Sequence, residues 1–228
     1  MDLWAVVPVK ELDRAKERLA SVLPPRLRQT LMLAMIEDVL AALAATPGLA
    51  RLAVVTVDPA AGRLAAAYGA RLIETGARDG HTGAVAAAAR LLAEEGCPGM
   101  LTLPGDIPLV TPSEITNLVW AHHQAPSFTI APSRDERGSN AVICSPPDAV
   151  PLRFGEDSFL PHLRAAEARG VRPTIVRLSG IALDIDTPED LAAFALLPSP
   201  TRARALLAEN DMLHLHERAG ALRGGHWR

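Results

Sequence analysis

Short apolar runs alternate with helix-patterned segments along most of this chain, and that alternation leaves few ways to fold it. Residues 3–8, 52–57, 71–73, 100–103, 128–131, 141–144 and 174–178 read as strands. Between them, residues 26–45 carry Leu27, Leu31, Met35, Val39 and Leu43 at helical spacing, and Pro47-Gly48 closes that helix. Asp58-Pro59 reads as an N-cap with proline at the first helical position. Residues 82–95 form an alanine-rich helix, another opens at Thr111-Pro112-Ser113-Glu114, and residues 158–169 form a further one. Asp186-Thr187-Pro188-Glu189-Asp190-Leu191 begins the next, with Asp186 as a candidate cap and acids where the helix dipole favours them. Strands alternating with helices predict a three-layer, Rossmann-like α/β fold with a mostly parallel sheet. The length of 228 residues suits one large domain, residues 1–198. After Pro198-Ser199-Pro200 the composition shifts, and residues 199–228 read as a C-terminal helical extension.

In an open α/β sheet, ligands bind at the carboxyl ends of the strands. The apolar run Leu101-Thr102-Leu103 breaks at Pro104-Gly105 and delivers Asp106 there, while Pro108 keeps a helix from starting at once. Leu183-Asp184-Ile185-Asp186 is a second apolar run ending in acids, and strand alternation puts Asp184 and Asp186 on one face. Three carboxylates at one sheet edge are hard oxygen ligands of the kind that suit Mg²⁺ shared with substrate phosphates. The other reading of Asp186, as a helix cap, leaves Asp106 without a role.

The first strand runs into Val7-Pro8-Val9-Lys10 and then Ala15-Lys16-Glu17-Arg18-Leu19. The chain contains neither a Gly-x-Gly-x-x-Gly nor a Gly-x-x-x-x-Gly-Lys-Ser/Thr motif, so dinucleotide dehydrogenase and P-loop readings lose their main support. Instead Lys10, Lys16 and Arg18 stand at the edge where phosphates sit, able to hold a triphosphate and neutralise a leaving pyrophosphate. A solvated basic face is the competing reading, because Glu11, Asp13 and Glu17 are interleaved with them. Gly138-Ser139-Asn140 at the mouth of a strand offers backbone amides and a hydroxyl, the materials of an anion nest. Gly155 frees the backbone in Phe154-Gly155-Glu156-Asp157-Ser158-Phe159, where Asp157 or Ser158 can cap the next helix. Either stretch alone reads as an ordinary turn; together they suggest a pocket for a small anionic acceptor.

A net charge of −3 argues against a dedicated nucleic-acid binder, and no apolar run approaches the roughly 20 residues that span a bilayer. The start of the chain lacks the basic region of a signal peptide, and Cys97 and Cys144 read as buried reduced thiols, so a cytoplasmic location is expected. In the tail, Leu206, Leu207, Met212, Leu213 and Leu215 would suit a homodimer contact. His214, His216 and His226 lack a carboxylate or cysteine partner at metal-site spacing.

Val7-Pro8-Val9-Lys10, Ala15-Lys16-x-Arg18-Leu19, Pro104-Gly105-Asp106-Ile107-Pro108, Gly138-Ser139-Asn140-Ala141, Phe154-Gly155-x-x-Ser158-Phe159 and Asp184-Ile185-Asp186-Thr187-Pro188-Glu189-Asp190 follow one another in a recognisable order. Over roughly residues 3–195 the chain resembles the 2-phospho-L-lactate and phosphoenolpyruvate guanylyltransferases of coenzyme F-420 biosynthesis. The Asp106 and Asp186 signals are shared with many nucleotidyltransferases; the Gly-Ser-Asn and Phe-Gly-x-x-Ser-Phe pair narrows the match. The resemblance implies a GT-A-like nucleotidyltransferase fold and transfer of GMP from GTP to 2-phospho-L-lactate, phosphoenolpyruvate or 3-phosphoglycerate, with release of pyrophosphate. It implies that Asp106, Asp184 and Asp186 hold Mg²⁺, with Lys10 and Lys16 gripping the phosphates. Pro8, Arg18, Gly80, Thr82, Pro104 and Gly105 complete the implied nucleotide site. The resemblance likewise implies that Ser139, Asn140, Gly155 and Ser158 bind the phosphoacid.

The chain departs from the family in places. It reads Gly80-His81-Thr82 where Gly-Leu-Asn is usual, Ser139 where threonine is common, and Arg137 in place of a glycine. Two other functions compete: nucleotidyl transfer to a sugar phosphate or molybdopterin, and a non-catalytic nucleotide-binding protein. Intact Lys10, Asp106 and Asp186 count against the second.

Overall fold

The computed structural model describes residues 2–155 and 157–214. One seven-stranded sheet runs through it in the order β3-β2-β1-β4-β6-β5-β7. The strands are β1 (Leu3–Pro8), β2 (Leu49–Val55), β3 (Arg71–Ile73), β4 (Gly99–Thr102), β5 (Ser127–Pro132), β6 (Ser139–Ser145) and β7 (Pro173–Ile175). Strands β1 to β4 are mutually parallel, and β5 pairs parallel with β7. Only β6 is reversed, antiparallel to both β4 and β5. The cause is connection length: residues 133–138 can close a hairpin but cannot make the crossover that a parallel pair requires.

The helices are α1 (Pro25–Ala44), α2 (Pro59–Ala67), α3 (Gly80–Glu94), α4 (Pro112–Trp120), α5 (Phe159–Ala168), α6 (Ser179–Ala182), α7 (Pro188–Leu196) and α8 (Arg202–Glu209). Side chains of β1 divide between the two faces of the sheet as period-two alternation requires. Leu3, Ala5 and Val7 pack with Ile36 and Val39 of α1, Ala61 of α2 and Ile115 of α4, whereas Val6 packs with Val85 and Ala88 of α3. Phe128, Ile130 and Val142 meet Phe159 and Ala166 of α5 on the α3 side. Helices on both faces of one sheet give the expected three layers.

Most expected elements end within one to three residues of the observed ones. Two short 3₁₀ turns, Leu12–Arg14 and Glu17–Leu19, interrupt the basic loop after β1, and the four-residue α6 was not expected from sequence. Strand β7 is shorter than expected, because after Ile175 only the Val176 amide still reaches β5, at the Ile130 carbonyl. Asp186 is not the cap of α7. Thr187 is, in a capping box with Asp190, and this leaves the Asp186 carboxylate available to the cleft. Ser158 stands at the N-cap of α5 but makes no capping bond, since its hydroxyl is directed to Ser139.

Of the tail, α8 packs against this chain. Ala203 and Leu207 are fully buried with Leu31, Met35 and Phe194, and Leu206, Met212 and Leu213 lie against the same cluster. Asp38 of α1 accepts the Arg202 and Ala203 amides at 2.8 and 3.0 Å, fixing the start of α8. The apolar positions read as a dimer contact are thus used within the chain, apart from Leu215, which with His216 and His226 lies outside the described residues. Cys144 is buried and Cys97 only partly so, both free. No described helix is long and apolar enough to cross a membrane.

Candidate active site

A cleft of about 1350 Å³ opens at the carboxyl ends of β1 and β4. The basic loop enters it with Pro8, Lys10, Lys16 and Arg18, and the β4 turn with Pro104, Gly105 and Asp106. The start of α3 contributes Gly80 and Thr82, and the hairpin and α5 contribute Ser139, Asn140, Gly155 and Ser158. Asp184 and Asp186 close it from the segment before α7. Every site residue expected from sequence therefore lines one cavity, although they come from six separate stretches of chain.

At its centre the Lys16 ammonium lies 2.5 Å from Asp106 Oδ2 and 2.5 Å from Asp186 Oδ1. The Lys16 side chain is 6% exposed, Asp106 18% and Asp186 45%. Burial disfavours the charged lysine, but the two carboxylates outweigh it and the Lys16 pKa is raised. Asp186 is likewise driven up by burial, yet Lys16 prevails and its pKa is lowered. Lys16 reaches this place from a left-handed backbone (φ 53°, ψ 45°), and Arg28 Nη1 donates to its carbonyl at 3.3 Å. The two acidic segments are joined through the backbone, where the Ile185 amide donates to the Asp106 carbonyl at 3.0 Å. Gly105 allows the turn to lie against α1, because a Cβ there would fall 2.9 Å from Ile36 Cγ1.

The two carboxylate oxygens bracket one cation-sized point, and Asp106 Oδ1 is buried without a hydrogen-bond partner. Two hard oxygens with an unsatisfied third fit a magnesium-type ion that completes its shell with water and phosphate. Asp184 stands apart from this pair: Asn140 Nδ2 donates to it at 3.2 Å, and burial together with Asp106 raises its pKa. Among the described residues no three His, Cys, Asp or Glu side chains gather as a metal cage of their own.

The opposite wall carries His81, Thr82 and Phe154, and behind it lies His162, which sequence reading passed over. His81 packs on Phe154 at 4.4 Å between ring centroids, and Phe154 meets His162 edge-on at 5.1 Å. Burial pushes both histidines down to about 4. The Thr82 hydroxyl accepts the Phe154 amide at 3.0 Å and faces the Phe154 carbonyl at 3.3 Å, so it ties the α3 start to the 153–158 loop. Asn140 also donates to the Ile181 carbonyl at 2.9 Å, tying β6 to the acidic segment. No local pattern marks His162, which lies on the buried face of a short helix; the only sequence signal is its position four residues after Ser158.

The profile of the family described as "Guanylyl transferase CofC like" matches residues 3–223. A phosphoenolpyruvate guanylyltransferase of Rubrobacter xylanophilus is 42% identical over 195 residues, covering 84% of this chain and 93% of that protein. A 3-phospho-D-glycerate guanylyltransferase of Colwellia psychrerythraea is 37% identical over 196 residues, covering 86% of this chain and 92% of that one. A solved structure from Desulfovibrio desulfuricans G20, provisionally described as a nucleotide-diphospho-sugar transferase, superposes with a TM-score of 0.76 at 19% identity, covering 95% and 98% of the two chains. That likeness concerns the fold.

Proposed function

The chain belongs to the CofC-like guanylyl transferases, and from that premise we propose that it transfers GMP from GTP to a three-carbon phosphoacid, releasing pyrophosphate. Phosphoenolpyruvate is the leading acceptor, with 3-phosphoglycerate and 2-phospho-L-lactate as the alternatives, and coenzyme F-420 biosynthesis as the setting. The observation that carries this reading is the single cleft, with a lysine and two carboxylates at one end and a hydroxyl-lined pocket at the other.

In this reading Asp106 and Asp186 hold Mg²⁺, and Asp184, kept in place by Asn140, lies beside them. The ion supplies neutralisation of charge on the triphosphate. Lys10, exposed at the cleft mouth, and Arg18 meet the outer phosphates, while Lys16 moves from the carboxylates onto the α-phosphate region. An oxygen of the acceptor's phosphate attacks the α-phosphorus, that P–O bond forms, and the bond to the bridging β-phosphate oxygen breaks. The attacking oxygen is already ionised, so no protein base is needed, and rate comes from alignment and charge neutralisation. Gly80 and Pro104-Gly105 border the nucleotide, and Ser139, Gly155 and Ser158 hold the phosphoacid.

Pyrophosphate release from GTP, measured with phosphoenolpyruvate, 2-phospho-L-lactate and 3-phosphoglycerate in turn, tests the reading. Release with one of them and not without acceptor is expected; none with any of the three overturns it.

A further inference from the structure

A buried hydrogen-bond relay behind the cleft wall gives one cleft hydroxyl a fixed direction. The Arg153 amide donates to His162 Nε2 at 2.9 Å, so that nitrogen carries no proton. A neutral imidazole then bears its proton on Nδ1, which lies 2.9 Å from Ser139 Oγ and donates to it. Ser158 Oγ donates to the same oxygen at 3.2 Å. Both lone pairs of Ser139 Oγ are thereby occupied, and its own hydrogen has no acceptor among the described residues. Ser139 is buried yet lines the cleft. His162 is 1% exposed and is not part of the cleft wall. Phe154 against the ring holds its plane, and burial, which pushes its pKa down to about 4, keeps it neutral near pH 7.

We propose that His162 is a positioning residue for the acceptor: with Ser158 it commits the Ser139 O–H to donate into the cleft, toward an acceptor-only oxygen of an ionised carboxylate or phosphate. The inference rests on the guanylyl-transfer reading and adds a residue that touches no substrate. Without the histidine, the hydroxyl is free to rotate and to present a lone pair to the anion.

Two isosteric changes separate the two ring nitrogens. His162→Gln can keep an acceptor for the Arg153 amide but gives nothing to Ser139; His162→Asn keeps a donor near Nδ1. His162→Gln is expected to raise KM for the phosphoacid about tenfold, leaving kcat and KM for GTP within about twofold. His162→Asn returns that KM to within about threefold of wild type. In a Ser139→Ala background the Gln change moves KM by less than about twofold, because the hydroxyl it acts through is gone. Full additivity in that background, or a parallel rise in KM for GTP, overturns the inference. Wild-type turnover is the control: its absence strikes the guanylyl-transfer reading, whereas normal turnover with an unchanged His162→Gln variant strikes this inference alone. The imidazole ¹⁵N spectrum of the wild-type protein needs no variant; an Nδ1–H tautomer at His162 is expected, and an Nε2–H tautomer overturns the proposal.

Discussion

The Lys16 ammonium sits 2.5 Å from Oδ2 of Asp106, ninety residues further along the chain, and 6% of its side chain reaches solvent. A lysine so enclosed is held by its counter-ions, and Asp186 is the second of them. The same two carboxylates are the oxygens proposed for the metal, so lysine and ion compete for one position.

That competition predicts the behaviour of Lys16→Met. Without the ammonium, Asp106 and Asp186 face each other uncompensated, and stability should fall by about 1–3 kcal/mol, discounted because Asp186 is partly exposed. Millimolar Mg²⁺ should recover part of the loss in thermal melts of this variant and add little to wild type. Equal Mg²⁺ effects on both would contradict a shared position.

Asp106→Asn and Asp186→Asn should each lower kcat about 10²–10³-fold, since each removes charge that compensates the triphosphate. Asp184→Asn should cost less than either, because Asp184 is engaged by Asn140 and stands outside the Lys16 pair. Steady-state kinetics over a Mg²⁺ titration would show this order, and an Asp184 variant as inactive as the other two would reverse it.

Thr82→Val should strip the Phe154 amide of its acceptor, at about 1–3 kcal/mol in denaturant unfolding. Because Thr82 joins the α3 start to the phosphoacid loop, KM for GTP and for the acceptor should both rise. A change in only one of them would mean that the two loops act independently.

Acid should destabilise the fold between about pH 6.5 and 4. His81, His122 and His162 are each driven by burial from 6.5 to about 4, so across that interval the unfolded chain binds protons that the folded one refuses. Their contribution is complete above pH 6.5 and is lost as pH falls toward 4. His122 is fixed between Thr129 Oγ1 at 2.8 Å and Ser145 Oγ at 2.9 Å, far from the cleft. His122→Gln should therefore flatten part of the slope of unfolding free energy against pH without changing the acceptor KM.

Leu207→Ala should cost about 2–5 kcal/mol in urea unfolding, as expected for a fully buried leucine. A loss below about 0.5 kcal/mol would mean that α8 is an appendage and not part of the core.

By itself the sequence determined the elements and the positions of the chemistry. Apolar periodicity fixed the alternation of strands and helices, and with it a sheet whose carboxyl edge receives Asp106, Lys10 and the basic loop. Those signals are local: a strand, a cap or a proline acts within a few residues of itself. The pairing of Lys16 with Asp106 and Asp186, and of β6 with β4, depends on which segments the sheet brings side by side. His162 is the plainest case. Its neighbours in sequence say nothing of Ser139, 23 positions earlier, and only packing of α5 on β6 sets the ring within 2.9 Å of that hydroxyl. Tertiary structure decided the partners because hydrogen bonds and ion pairs form between neighbours in space, and burial strengthens them once water is gone.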